Sequence, residues 1–201
     1  MYKESKILIN ELKDRALIDK NFILAIDGKS ASGKTSVAFQ IAEQLSREGI
    51  KVNLIHMDDF FLPMELRTAE RYEEAGGNVH YERFIEQIAV RLEGDETFEY
   101  DRFNCRIMDY DGKGIVNPKY PSIIEGAYAL HPNIVKALKR DYDLKVFFDI
   151  KENEQLKRIE KRGGRECLKY FVNKWIPLEN KYIEAFNIAK ECELVLESEE
   201  E

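Results

Sequence analysis

The sequence predicts an α/β fold with a five-stranded parallel sheet flanked by helices, and three observations lead there. An apolar run, "FILAID" (22–27), ends at a glycine and is followed by a helical pattern and then by a second apolar run, "KVNLIHM" (51–57); this strand, turn, helix, strand order builds parallel sheets. Three later apolar runs, "YPSIIEGAY" (120–128), "DLKVFFDI" (143–150) and "ELVLE" (193–197), alternate with helical segments and complete five strands. A length of 201 residues suits one core, so residues 1–201 are expected to form a single domain.

Each element has its own signal. In the leading segment 1–20, Ile7, Leu8, Leu12 and Leu17 fall near one helical face. The helix from about Lys34 turns Val37, Ala38, Ile41, Ala42 and Leu45 inward and stops near Gly49. Residues 58–78 are polar, contain Pro63 and end in Gly76-Gly77, so a long loop over the sheet edge is expected. Helical periodicity resumes over 79–93. The stretch 97–114 mixes alternation with turn residues and reads as a small hairpin-like excursion, placed with its flank at 96–114. Helices are expected over 152–162 and 168–191, with Pro177 marking a break, and the acidic end "ESEEE" reads as a solvated tail.

Composition narrows the function. Apolar residues at 44% and charged residues at 34% suit a globular protein, and 31 basic against 38 acidic residues give a formal charge of −7. A nonspecific nucleic-acid binder is therefore disfavoured. Cys105, Cys167 and Cys192 are dispersed without metal-ligand spacing and read as buried small hydrophobes. With no apolar run near the roughly 18 residues of a span, no membrane association is expected, and a cytoplasmic location is. Homo-oligomerisation is left open.

Chemistry concentrates in "GKSASGKT" (28–35), which fits G-x-x-x-x-G-K-[ST]. Glycines at both ends let backbone N–H groups turn inward on phosphates, and the following helix offers its positive end. Gly28, Lys29, Ser30, Ala31, Ser32, Gly33, Lys34, Thr35 and Ser36 are the expected nucleotide-binding residues; Lys34 would reach the β- and γ-phosphates of ATP, and Thr35 would hold Mg²⁺. In "HMDDFF" (56–61) two acids stand just beyond a strand's carboxyl end, where ligands gather in such sheets. Asp58 is the expected base toward an acceptor hydroxyl, and Asp58 and Glu125 are candidates to hold the metal or its water; strand-end surface charge is the bland reading for both. In "RIEKRGGRE", Arg158 and Arg162 share a helix face, and Gly163-Gly164 allows a bend before Arg165; segment 158–168 could close as a lid over migrating phosphoryl charge, or remain solvated. His56 reads as a satisfied core residue or a support for the site, His131 before Pro132 as a cap or turn, and Trp175 as core, with base stacking the minority view.

Taken together, "GKSASGKT", "HMDDFF", "GGNVHYERF", "EYDRFNCR", "IIEGAYALH" and "RIEKRGGRE" resemble, in order, the motifs of the uridine kinase and phosphoribulokinase group, over roughly residues 22–196. The resemblance implies a P-loop NTPase kinase fold and transfer of the γ-phosphate of ATP to a hydroxyl of a small metabolite, with uridine or another nucleoside as the leading acceptor. It implies Asp58 as the catalytic acid, Glu125 as the acid of the third motif, and Arg158, Arg162 and Arg165 as lid cations. The sequence departs from the group on the acceptor side. His80 stands where uridine kinases carry a ribose-binding aspartate, so it reads as an acceptor contact or a helix-start cap; Cys105 stands near the position of a pyrimidine-reading histidine. Tyr100 and Arg106 match the group's pattern, and Arg67 and Tyr81 are further candidates for the acceptor cleft. A different reading is an ATPase or nucleotide switch acting on a protein partner; the missing N-K-x-D motif disfavours its GTPase form.

Overall fold

A computed structural model describes residues 1–198; residues 199–201, most of the acidic tail, lie outside the described residues. The sheet has the order β2-β5-β1-β6-β7, formed by Ile23–Gly28 (β1), Asn53–His56 (β2), Ser122–Glu125 (β5), Leu144–Asp149 (β6) and Leu194–Glu197 (β7). Every pairing in it is parallel. The remaining strands, Phe98–Asn104 (β3) and Asp109–Val116 (β4), form a separate antiparallel hairpin. β1 is central and buried along its whole length. That explains its unbroken apolar run, which a strand covered on both faces requires.

Two apolar layers cover the sheet. On one face, Leu8, Ile9 and Leu12 of the leading helix Lys3–Asp14 (α1) pack with Val37, Ala38, Ile41 and Leu45 of Lys34–Arg47 (α2) onto Leu24, Ile26, Val146 and Phe148. Each buried Leu, Ile, Val or Phe side chain among them contributes about 1.5–3 kcal/mol. The helical stripe is shifted from expectation: Ile9 is buried where Ile7 is half-buried, and Leu17 is buried only after the helix has ended. The other face carries Phe60, Phe84, Ile88, Tyr128, Ile134 and Tyr182.

The loop after β2 is more structured than its composition suggests. It holds the short helix Ala69–Glu73 (α3), whose cap Thr68 accepts a hydrogen bond from the Arg71 N–H at 3.3 Å. Segment 79–93 is helical only at Tyr81–Phe84 (α4) and in the π turn Ile85–Ala89. Glu152–Tyr170 (α6) runs past its expected end, with a break at Gly164, whose φ of 75° only glycine adopts freely. A second π turn, Phe171–Trp175, joins it to Ile176–Ala185 (α7), so Pro177 sits in the first turn of a new helix, where its missing N–H costs nothing.

His131 does cap a helix. Its Nδ1 accepts a hydrogen bond from the Asn133 N–H at 3.2 Å, starting Pro132–Ala137 (α5). The ring stacks on Tyr81 at 4.5 Å. Burial, with Arg71 nearby, lowers its pKa from 6.5 to about 4. A base depressed in the fold binds more protons when unfolded, so its contribution is complete above pH 6.5 and is lost as pH falls toward 4. We expect urea melts to lose up to about 3 kcal/mol over that interval, and the loss to shrink in His131→Asn.

Candidate active site: two cavities meeting at a phosphate loop

The loop after β1 takes its shape from its neighbours. Gly28 has φ 141°, and a Cβ there would lie 2.1 Å from the Phe148 carbonyl oxygen, so β6 passes too close for any side chain. Ala31 (φ 62°) and Gly33 (φ 90°) complete the turn into α2. The loop is also pinned by charge. Lys29 pairs with Asp149 at 2.7 Å, and the Ser30 N–H donates to Glu179 at 3.0 Å, with the Ser30 hydroxyl also on that carboxylate. Gln155 donates to the Ser30 carbonyl at 3.0 Å, and Arg158 to the Ala31 carbonyl at 3.3 Å. Helices α6 and α7 thus hold the loop from outside.

Beneath it lies Asp27, fully buried, accepting from the N–H groups of Gly28 (2.6 Å), Tyr128 (3.2 Å) and Leu130 (2.8 Å) and from the Tyr182 hydroxyl (2.7 Å). Burial raises its pKa against these donors and Lys34. One carboxylate therefore ties the loop to the segment after β5 and to α7.

Lys34 is 7% exposed, and its Nζ donates to the carbonyls of Gly28 (2.9 Å) and Lys29 (2.7 Å). The Thr35 hydroxyl lies 3.1 and 3.0 Å from the two oxygens of Glu125, itself only 3% exposed. His56 Nδ1 is 2.5 Å from Glu125 Oε1. Burial opposes charge on His56, but the hydrogen bond and charge of Glu125, with Asp59 and Asp58, outweigh it and raise its pKa. His56, half-buried, thus braces the Glu125 carboxylate. Asp58 faces open space yet is crowded by protein on its other sides; this desolvation and the charge of Glu125 raise its pKa, with Lys34 and His56 opposing.

Two cavities meet here. The larger, about 620 Å³, runs along Gly33–Val37 and is walled by Tyr2, Phe148, Arg158 and Ser198. The smaller, about 310 Å³, is lined by Asp58, Arg67, Asn78, Cys105, Trp175 and Glu179 among others. Ala31, Lys34, Thr35 and Arg162 line both, so the loop's lysine and threonine stand at the junction.

Other expected residues lie elsewhere. Tyr100 is core: 4% exposed, stacked on Phe60, with its hydroxyl on Asp59 at 2.9 Å. His80 sits at the cap position of α4, bound through its N–H to the Phe60 carbonyl at 2.7 Å. Tyr81 donates its hydroxyl to Glu74 at 2.9 Å, Arg106 lies exposed in the hairpin turn, and Arg165 is exposed beside Glu160 at 3.4 Å. None of these five lines either cavity. Conversely, Trp175, the last residue of the π turn, is half-buried against the smaller cavity rather than core, with its ring beside Phe61 and Tyr170. Cys105 is exposed and Cys167 and Cys192 are half-buried, so none is fully enclosed.

Glu179 and Asp27 escaped sequence reading. Glu179 meets its partner across 149 residues and had no local motif. Asp27 offered one signal, an acid closing an otherwise apolar buried strand.

The site fits a hard divalent cation held in part by phosphate. Thr35, Glu125 and Asp58 offer oxygen donors, while no group of three or more His, Cys, Asp or Glu side chains is placed to hold a metal by itself among the described residues. Mg²⁺ is commonly held in that way, by one or two protein oxygens plus phosphate and water.

The chain is similar to known kinases in sequence and in fold. Over 179 residues the chain is 27% identical to a uridine kinase of Macrococcus caseolyticus (strain JCSC5402), covering 83% of this chain and 84% of that one. A structure described as a possible uridine kinase from Bacillus stearothermophilus superposes with a TM-score of 0.67 at 23% identity, covering 92% of this chain and 99% of that one. D-glycerate 3-kinase from Cryptococcus neoformans var. grubii shares the fold at a TM-score of 0.64 and 11% identity, over 99% and 96% of the two chains. The sequence profile of the Phosphoribulokinase / Uridine kinase family matches residues 23–165, and the chain belongs to that family of P-loop kinases.

Proposed function

We propose that the protein transfers the γ-phosphate of ATP to a hydroxyl of a small metabolite, with a nucleoside such as uridine as the acceptor. The carrying observation is the pair of cavities joined at Lys34 and Thr35, with Asp58 on the wall of the smaller one. One space suits a nucleotide and the other a small ligand. An ATPase driving a protein partner has no need of the second.

In this reading the larger cavity binds ATP through the N–H groups of Gly33, Lys34 and Thr35, which line it, and Lys34 neutralises charge on the outer phosphates. Mg²⁺, when bound, offsets the charge of the β- and γ-oxygens; Thr35 and Glu125 would hold it or its water. Asp58 accepts the proton of the acceptor hydroxyl and aligns its oxygen for in-line attack. Arg158 and Arg162 stabilise the migrating charge and help exclude water. The aromatic wall formed by Phe61, Phe171 and Trp175 offers a flat apolar surface to a base, with Arg67 beside it, 5.9 Å from the Trp175 ring. Sequence similarity to uridine kinases supports the choice of acceptor.

ADP release measured against a panel of nucleosides and other small alcohols tests both parts. We expect uridine or another nucleoside to stimulate release, with phosphorylated product in equal amount. Stimulation only by a different alcohol would remove the nucleoside and leave the kinase. ADP formed without any phosphorylated alcohol would remove the kinase reading.

A further inference from the structure

We propose that the first turn of α1 forms the wall that holds the nucleotide's base, and that Tyr2 is its stacking residue. This rests on the reading that the larger cavity binds ATP. Tyr2, Lys3 and Glu4 line that cavity and not the smaller one, where the acceptor is placed. With the phosphates over Gly33–Thr35, the base needs a further wall of the same cavity, and α1 supplies one. There Tyr2 presents a large aromatic side chain that is 52% exposed. Phe148 and Arg158 line the same cavity, the Arg158 guanidinium held by Glu154 at 3.1 Å and by the Ser198 hydroxyl at 2.7 Å.

Tyr2 is held in place although its ring is open to water. Its N–H donates to Gln40 Oε1 at 2.7 Å, and the hydroxyl of Ser5, fully buried, donates to the same oxygen at 2.8 Å. Gln40 belongs to α2, the helix that begins at the phosphate loop. Leu8, Ile9 and Leu12 anchor the rest of α1 on α2. The Tyr2 backbone is therefore fixed relative to the phosphate loop, so only side-chain rotamers remain to be ordered on stacking. α1 precedes the span matched by the family profile, residues 23–165.

Calorimetric titration of the full chain with two probes separates base from phosphate: a magnesium complex of a nonhydrolysable ATP analogue, and magnesium tripolyphosphate. Stacking predicts that Tyr2→Ala weakens the analogue about 10-fold, leaves tripolyphosphate within about 2-fold, and that Tyr2→Phe binds both as the parent does. Equal melting temperatures of the three proteins would confirm that the fold is unchanged; a lowered one for Tyr2→Ala would move the comparison to Tyr2→Leu, with the same expected loss. The inference is overturned if the alanine variant binds the analogue as the parent does, or if it weakens both probes equally. A parent protein that binds neither probe overturns the ATP reading itself, and with it this wall.

Discussion

Asp58→Asn is expected to bind magnesium–ATP as the parent does and to lose transfer by about 10³-fold, within the range seen when a positioned base is removed. Asp58 lines the smaller cavity and is absent from the lining of the larger one, so the substitution should leave the nucleotide's surroundings intact. Asparagine keeps the shape and removes the proton acceptor. The environment of Asp58 suits that role: desolvation and the nearby Glu125 carboxylate raise its pKa and make it a stronger base than a free aspartate, while Lys34 and His56 limit the rise. Single-turnover transfer to uridine, or to whichever alcohol the panel selects, measures the loss, and calorimetry with the nonhydrolysable analogue measures the binding. Transfer at the parent rate would remove Asp58 as the base.

The parts legible in the sequence are those written in local order. β1, the phosphate loop and α2 are contiguous, and their apolar runs and glycines state the geometry almost residue by residue. Asp58 and Glu125 were legible because parallel strands deliver their carboxyl ends to one edge: the register sets His56 opposite Glu125 and Ile26 opposite Glu125 across neighbouring strands. The acceptor side was less legible. His80, Tyr100 and Arg106 fall within family-like motifs, but the hairpin turns Tyr100 inward onto Phe60 and leaves Arg106 in solvent. Which face of a two-stranded ribbon meets the cavity depends on register and on a bulge between Asp101 and Phe103, neither of which alternation alone fixes. Glu179 and Trp175 were hidden for a related reason. The π turn at Phe171–Trp175 changes the helical phase, so a periodicity read at 3.6 residues per turn assigns the wrong face beyond it.

Lys34→Ala should lose both binding and transfer, which separates it from Asp58→Asn. Lys34 is the cation common to three carboxylates, Asp27, Asp58 and Glu179, whose raised pKa values its charge holds down. Without it, Arg162 is the one positive charge left among the residues lining both cavities, and the three acids repel the outer phosphates. We expect transfer to fall by at least about 10³-fold, comparable to the loss of a principal electrostatic contact in a transition state. Nucleotide affinity should fall by roughly 10-fold or more, the worth of a charge-assisted hydrogen bond. Inorganic tripolyphosphate should lose as much affinity as the ATP analogue, because the defect lies in the phosphate contacts that both share. Calorimetry on the variant reads this directly: parent-like affinity for either probe would show that Lys34 does not meet the outer phosphates, and its bonds to the Gly28 and Lys29 carbonyls would then stand as its structural role.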